Sequence, residues 1–250
     1  MLRDDLVRYL DDLLDIHAVA DYGPQGLQVE GRVGVERIVG MVDAAPPCVA
    51  AALEQDADLL LVHHGIFWGP TQRLAGPFGR HVRRIVESGL NLYAAHLALD
   101  GHARFGNNAV LAERLGLRID DWWGEVKGRP IAVRAEAEPD TTFDALLATF
   151  EAQVGPPKLV QRAGSSRVRR VGICSGGSGA MIAEAAAAGC DTFVTGETSH
   201  AHFHDAATYG LNVIWAGHYQ SETVGVMALG EHLAERFGLD FAFIDLPTGV

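Results

Sequence analysis

Asp58-Leu59-Leu60-Leu61-Val62-His63-His64-Gly65 holds a short apolar run that ends in two adjacent imidazoles. Four consecutive apolar residues read as a strand buried on both faces, the pattern of a parallel sheet covered by helices. Similar runs flank it: Val39-Gly40-Met41-Val42 and Leu92-Tyr93-Ala94-Ala95. In the second half come Val171-Gly172-Ile173-Cys174, Thr192-Phe193-Val194-Thr195 and Val213-Ile214-Trp215-Ala216. Ala-rich segments at 44–57 and 178–188 read as crossover helices. The alternation is that of βαβ units and predicts an α/β fold.

The chain looks written twice. Arg37-Ile38 matches Arg170-Val171, Asp58 matches Asp191, and the run 59–62 matches 192–195, all at an offset of 133 residues. Gly89-Leu90-Asn91-Leu92 then matches Gly210-Leu211-Asn212-Val213. Each of these last strands ends near a histidine, His96 or His218, with a carboxylate four residues on, Asp100 or Glu222. The expectation is a pair of duplicated βαβ units, forming two similar, intertwined α/β subdomains with the metal site between them. Turn residues and charge at 118–130 place the boundary there, giving halves 1–125 and 126–250. Ile131 begins an alternating stretch to Glu136 that reads as a half-buried strand, and Gly155-Pro156-Pro157 reads as a turn.

Hydrophobic residues make up 48% of the 250 and charged residues 21%, enough for a substantial core. No apolar run reaches the ~18–20 residues of a membrane span. The start reads as an amphipathic helix, with Leu6, Leu10, Leu13 and Leu14 on one face, and lacks a signal-peptide core. Cys48, Cys174 and Cys190 show no paired spacing, which points to a reducing, cytoplasmic setting. A net charge of -12 weighs against nucleic acid, since the only basic cluster spans 162–170. An enclosed nucleic acid would demand strongly salt-dependent binding.

Ligands of open α/β sheets bind beyond the carboxyl ends of strands. His63 and His64 stand there and point to opposite sides, so the pair can serve two neighbouring ions. His96 and His218 also stand at strand ends. On a helix, a carboxylate four residues on shares a face with each. Imidazole with carboxylate suits Zn, Mn, Fe, Co or Ni, and no cysteine sits among these residues. Five or six such ligands exceed one hydrolytic zinc and suit two ions sharing a carboxylate. The plainer alternative is a set of separate, hydrogen-bonded polar strand ends.

Leu61-Val62-His63-His64-Gly65, His96-Leu97-Ala98-Leu99-Asp100, Thr195-Gly196-Glu197 and Gly217-His218-Tyr219-Gln220-Ser221-Glu222, in this order, resemble the NIF-three-like (NGG-one interacting factor-like) family. Gly26-Leu27-Gln28-Val29-Glu30-Gly31 and Gly106-Asn107-Asn108 resemble it too. Its members are dinuclear metal-centre proteins, among them type-two homologues of GTP cyclohydrolase I. The resemblance implies two divalent ions per chain held by His63, His64, Asp100, His218 and Glu222, with Glu222 as the bridge. It places His96 near the ions as a catalytic proton carrier or a ligand through water. It places Glu197 and His200 beside the ligands. It also implies a ring-shaped homo-hexamer. The family often ends in an Asn-Pro tail, whereas this chain ends Asp245-Leu246-Pro247-Thr248-Gly249-Val250.

Other motifs carry less. Cys174-Ser175-Gly176-Gly177-Ser178-Gly179 reads as a tight strand-to-helix turn, with anion binding as the minor alternative; it has no P-loop lysine. His200-Ala201-His202-Phe203-His204 places two histidines on one face if helical. Trp122-Trp123 suits packing or an oligomer contact, and Phe67-Trp68 suits a cavity wall or the core. The functional expectation is a metal-dependent hydrolase of a small molecule. Its reaction is C–N hydrolysis of a nucleotide, cyclohydrolase-like, or phosphoester hydrolysis; oxidation by a di-iron form stays open. The alternative is a non-enzymatic metal-binding or scaffold protein forming a ring.

Overall fold

The computed structural model describes residues 1–249; Val250, the last residue of the terminal stretch, lies outside them. The elements in chain order are α1 (Arg3–Leu14), β1 (Gly26–Val29), β2 (Arg37–Asp43), α2 (Pro46–Glu54), β3 (Leu59–His64), α3 (Gly76–Ser88), β4 (Asn91–Ala94) and α4 (Leu97–Asp100). There follow α5 (Asn107–Arg114), β5 (Arg118–Val126), β6 (Arg129–Glu136), α6 (Phe143–Gln153), β7 (Leu159–Arg162), β8 (Arg170–Cys174) and α7 (Ile182–Ala187). The last are β9 (Thr192–Thr195), α8 (Asp205–Tyr209), β10 (Asn212–Trp215), α9 (His218–Phe237) and β11 (Asp240–Phe243). The fold is α/β with two sheets, and among the described residues no helix is long and apolar enough to cross a membrane.

Two compact units result. The first joins Met1–Leu99 to Val226–Leu246 and carries the sheet β1-β4-β3-β2-β11. All its neighbours are parallel except β1 on β4. The second comprises Asp100–Gly225, with a short piece from Pro247 onward, and carries β5-β6-β8-β9-β10-β7, parallel only through β8, β9 and β10. In both, the central strands are almost entirely buried, as strands inside a parallel sheet are. Pro46 and Pro47 start α2, where a missing N–H costs nothing.

The stretch 118–130 is not a linker. β5 runs through it and pairs antiparallel with β6, and Lys127 (φ 53) and Gly128 (φ 84) form the two-residue turn. Positive φ at both central positions is what a tight hairpin of this twist requires. A boundary between residues 125 and 126 would cut this hairpin, whereas the contacts group the chain as given above.

The duplication holds in register. Ile38 pairs with Leu59 and Val171 with Thr192; Leu59 pairs with Asn91 and Thr192 with Asn212. The antiparallel edge repeats as well, Gly26 on Ala94 and Leu159 on Trp215, with Gly26 and Leu159 again 133 apart. The Gly-Leu-Asn repeat now has a cause. Gly89 (φ 71) and Gly210 (φ 67) end their helices in the left-handed region that glycine enters without cost. Asn91 Oδ1 accepts from Gly31 N (2.8 Å) and its Nδ2 donates to Arg32 O and Asp58 O (both 2.9 Å). Asn212 does likewise with Gly164 N (3.0 Å) and Ser165 O (2.6 Å). Asp58 accepts from Glu36 N and Arg37 N, and Asp191 from Arg169 N and Arg170 N. The units differ at the other edge: β2 is flanked by parallel β11, β8 by antiparallel β6.

Candidate metal centre

In the first unit β3 delivers His63 and His64 at its carboxyl end, and the turn after β4 delivers His96. The ring centroids of His63 stand 4.8 Å from His64 and 5.0 Å from His96, and those of His64 and His96 are 5.6 Å apart. One ligand atom from each lies within 4.8 Å of the others. That approaches the roughly 4 Å spanned by two nitrogens each ~2 Å from one ion. Each ring is anchored through Nδ1: His63 to Ala95 O (2.8 Å), His64 to Asp43 Oδ1 (2.9 Å) and His96 to Asp21 Oδ1 (2.8 Å). Carbonyl and carboxylate oxygens only accept, so Nδ1 carries the proton and Nε2 keeps its lone pair. This is the arrangement of ligating histidines, whose second nitrogen is held by a carboxylate or carbonyl.

Asp21 and Asp43 carry no signal that sequence reasoning used. They lie outside the quoted motifs, and only tertiary approach makes them partners of histidines. Burial alone pushes the Asp21 carboxyl up; the His96 ring and the Leu97 and Tyr22 amides outweigh it and hold it below the usual value. Trp68 stands edge-on to His96 at 5.0 Å and donates to Gly65 O (2.8 Å), so it walls the histidine cluster. Phe67 packs on Phe78 and the core.

In the second unit His218 opens α9 and Glu222 follows one turn on. His218 Nε2 lies 3.3 Å from Glu222 Oε1, and His218 Nδ1 3.5 Å from Glu197 Oε1. The Glu222 carboxylate, helped by Glu197, raises His218 to about 9 against the opposing effect of burial. The i,i+4 spacing thus acts as read from the sequence. The pairing of His96 with His218 as repeats does not hold: Asn91 and Asn212 differ by 121 positions, the two histidines by 122. In register, Gly196 and Glu197 stand where the first copy has His63 and His64.

Asp100 is 5% exposed and accepts from Asn107 Nδ2 (2.9 Å) and Ser175 Oγ (3.2 Å). Asn107 Oδ1 accepts in turn from Gly225 N (2.9 Å), while Asn108 links Ile131 O (2.7 Å) to Ser175 N (2.7 Å). The Gly-Asn-Asn stretch therefore frames this carboxylate. The loop 174–179 is a turn pressed onto His218 and Glu222. Gly176 (φ 65) donates to Ser221 Oγ (3.0 Å), and a Cβ there would run into the Glu222 carboxylate. Cys174 below it is pushed up to about 12 by burial, so it stays a thiol. His200 is exposed and begins a 3-10 turn, not an α-helix; among the described residues it joins no metal-binding group. His202 pairs with Asp205 at 3.2 Å. Trp123 packs on Phe193 and Gly172, a role within the unit.

The donor set fits divalent ions: imidazoles with oriented lone pairs and buried carboxylates, with no thiolate among them. A "GTP cyclohydrolase 1 type 2 homolog" of Deinococcus radiodurans is 42% identical over 248 residues, covering 99% of this chain and 94% of that one. The crystal structure of TTHA1606 from Thermus thermophilus is 41% identical, with a TM-score of 0.90 and full coverage of both chains. The structure of protein ybgI, described as of unknown function, is 36% identical, with a TM-score of 0.91 and full coverage of both chains. Residues 1–248 match the family described as Duf34/NIF3 (NGG1p interacting factor 3), and the chain belongs to that family.

Proposed function

We propose that this chain is a dinuclear-metal-dependent hydrolase whose two divalent ions are held by His63, His64, Asp100, His218 and Glu222. The observation that carries the reading is the set of imidazoles at the end of β3 and after β4, each tied at Nδ1 so that Nε2 carries the lone pair. Three such rings crowded together have no structural purpose that a smaller apolar side chain would not serve. Paired ions of this kind lower the pKa of a water and stabilise charge developing on substrate oxygens. The protein's own part is to orient the ligands and to move a proton, the latter assigned to His96. The substrate is a small molecule with a hydrolysable C–N or phosphoester bond. The relatives' name as cyclohydrolase homologues favours a nucleotide ring.

The test is elemental analysis of protein purified without chelators, beside His64→Ala and Glu222→Ala. The expected result is about two ions per chain, falling sharply in both variants, followed by turnover of a nucleotide or phosphoester in a screen. No metal in the wild type, even after reconstitution with Zn, Mn or Fe, overturns the proposal. Metal without turnover of any substrate favours the non-enzymatic metal-binding alternative.

A further inference from the structure

Asp21 lies in the loop between α1 and β1, and its side chain is 2% exposed. Its two oxygens do different jobs. Oδ1 accepts from His96 Nδ1 at 2.8 Å and from Tyr22 N at 2.5 Å, and Oδ2 accepts from Leu97 N at 3.0 Å. Gln25 Oε1 accepts from His96 N (3.2 Å) and Ala98 N (2.9 Å), so the same loop grips the backbone on both sides of Leu97. The carboxylate beside His64 is different: Asp43 is 28% exposed.

We propose that Asp21 is a positioning residue that fixes His96 with its proton on Nδ1 and turns the Nε2 lone pair toward His63 and His64. The inference deepens the reading of His96 as the proton carrier and rests on it. A carboxylate only accepts, and the Leu97 amide only donates. With Oδ2 taken by that amide, Oδ1 receives the ring proton from Nδ1. Nε2 is then the basic nitrogen, and it faces the cluster. Trp68, edge-on at 5.0 Å, packs against the ring. A proton carrier works only through the nitrogen presented to the reacting groups, so a buried acceptor that selects the tautomer selects the working nitrogen.

Alanine at this position removes the acceptor from all three donors, the His96 ring and the Tyr22 and Leu97 amides. Without it nothing holds the ring proton on Nδ1, and the ring is free to take the Nε2–H form. The experiment uses metal-free, 15N-labelled full-length protein at pH about 9, with long-range 1H–15N spectra of the histidine rings. The His96 signals are those that vanish in His96→Gln. The expected result is an Nδ1–H ring in the wild type and loss of that predominance in Asp21→Ala. An Nε2–H ring in the wild type, or an unchanged tautomer in Asp21→Ala, overturns the proposal. Should Asp21→Ala not fold, the wild-type tautomer decides alone. Because the readout needs neither metal nor substrate, it can succeed or fail independently of the hydrolase reading.

Discussion

Asp58 illustrates how one side chain is tuned by where the chain turns. Burial works against its charge, but the amides of Glu36 and Arg37 and the Arg32 guanidinium outweigh it and hold its pKa below the ordinary 3.8. A carboxylate lowered in this way stabilises the folded state above its unfolded pKa, and the benefit disappears as pH falls through the folded value. Asp58→Asn is therefore expected to lose about 1–2 kcal/mol in urea unfolding near neutral pH, and the difference from wild type should shrink below pH about 3. An equal loss at both pH values would show that charge plays no part. Residues of this kind were partly legible beforehand. Asp58 and Asp191 stood out as a repeated pair, and His63 and His64 as a strand end. Asp21 and Asp43 did not, because a lone acid in a loop has no period, and its partner is set only by folding.

At the scale of elements, the buried strands announced themselves through unbroken apolar runs, and the helices at 46–54 and 182–187 fell inside the Ala-rich segments. Of the hairpin, β6 was legible as the alternating stretch from Ile131 to Glu136, while β5 was hidden. Asp120, Asp121 and Glu125 face outward from an edge strand, so its composition resembles a charged loop. Only the turn, Lys127-Gly128, marked it. The repeated asparagines make a prediction that belongs here. Asn212→Ala leaves the Gly164 amide and the Ser165 carbonyl without the partners they now have, at a cost of about 2–4 kcal/mol. Asn91→Ala removes three such bonds and should cost at least as much in the same urea titration. A loss in one variant only would show that the copies no longer share this clamp.

For the molecule as a whole, the duplication was readable because matching residues recur at one offset, 133, through the first strands and at a second, 121, through the next, while the division into units was not. Nothing in the last twenty residues of sequence says that β11 pairs with β2 rather than with its neighbours in the chain. That pairing gives β2 a parallel partner on its outer side, where β8 has an antiparallel one. Removing 240–249 is expected to raise amide hydrogen exchange in β2 far more than in β8. Equal effects on both strands would mean that the two units open together.

The first unit is made from the two ends of the chain and the second from its middle. On a ribosome, the strands before Leu99 must therefore wait for β11. When Gly225 has emerged, the second unit has all six of its strands, while the first still lacks β11, the partner for β2. The earliest-made half is the last to be finished, and for most of synthesis an unpaired strand edge stands exposed. A nascent chain of this design depends on whatever shields that edge until the final residues arrive.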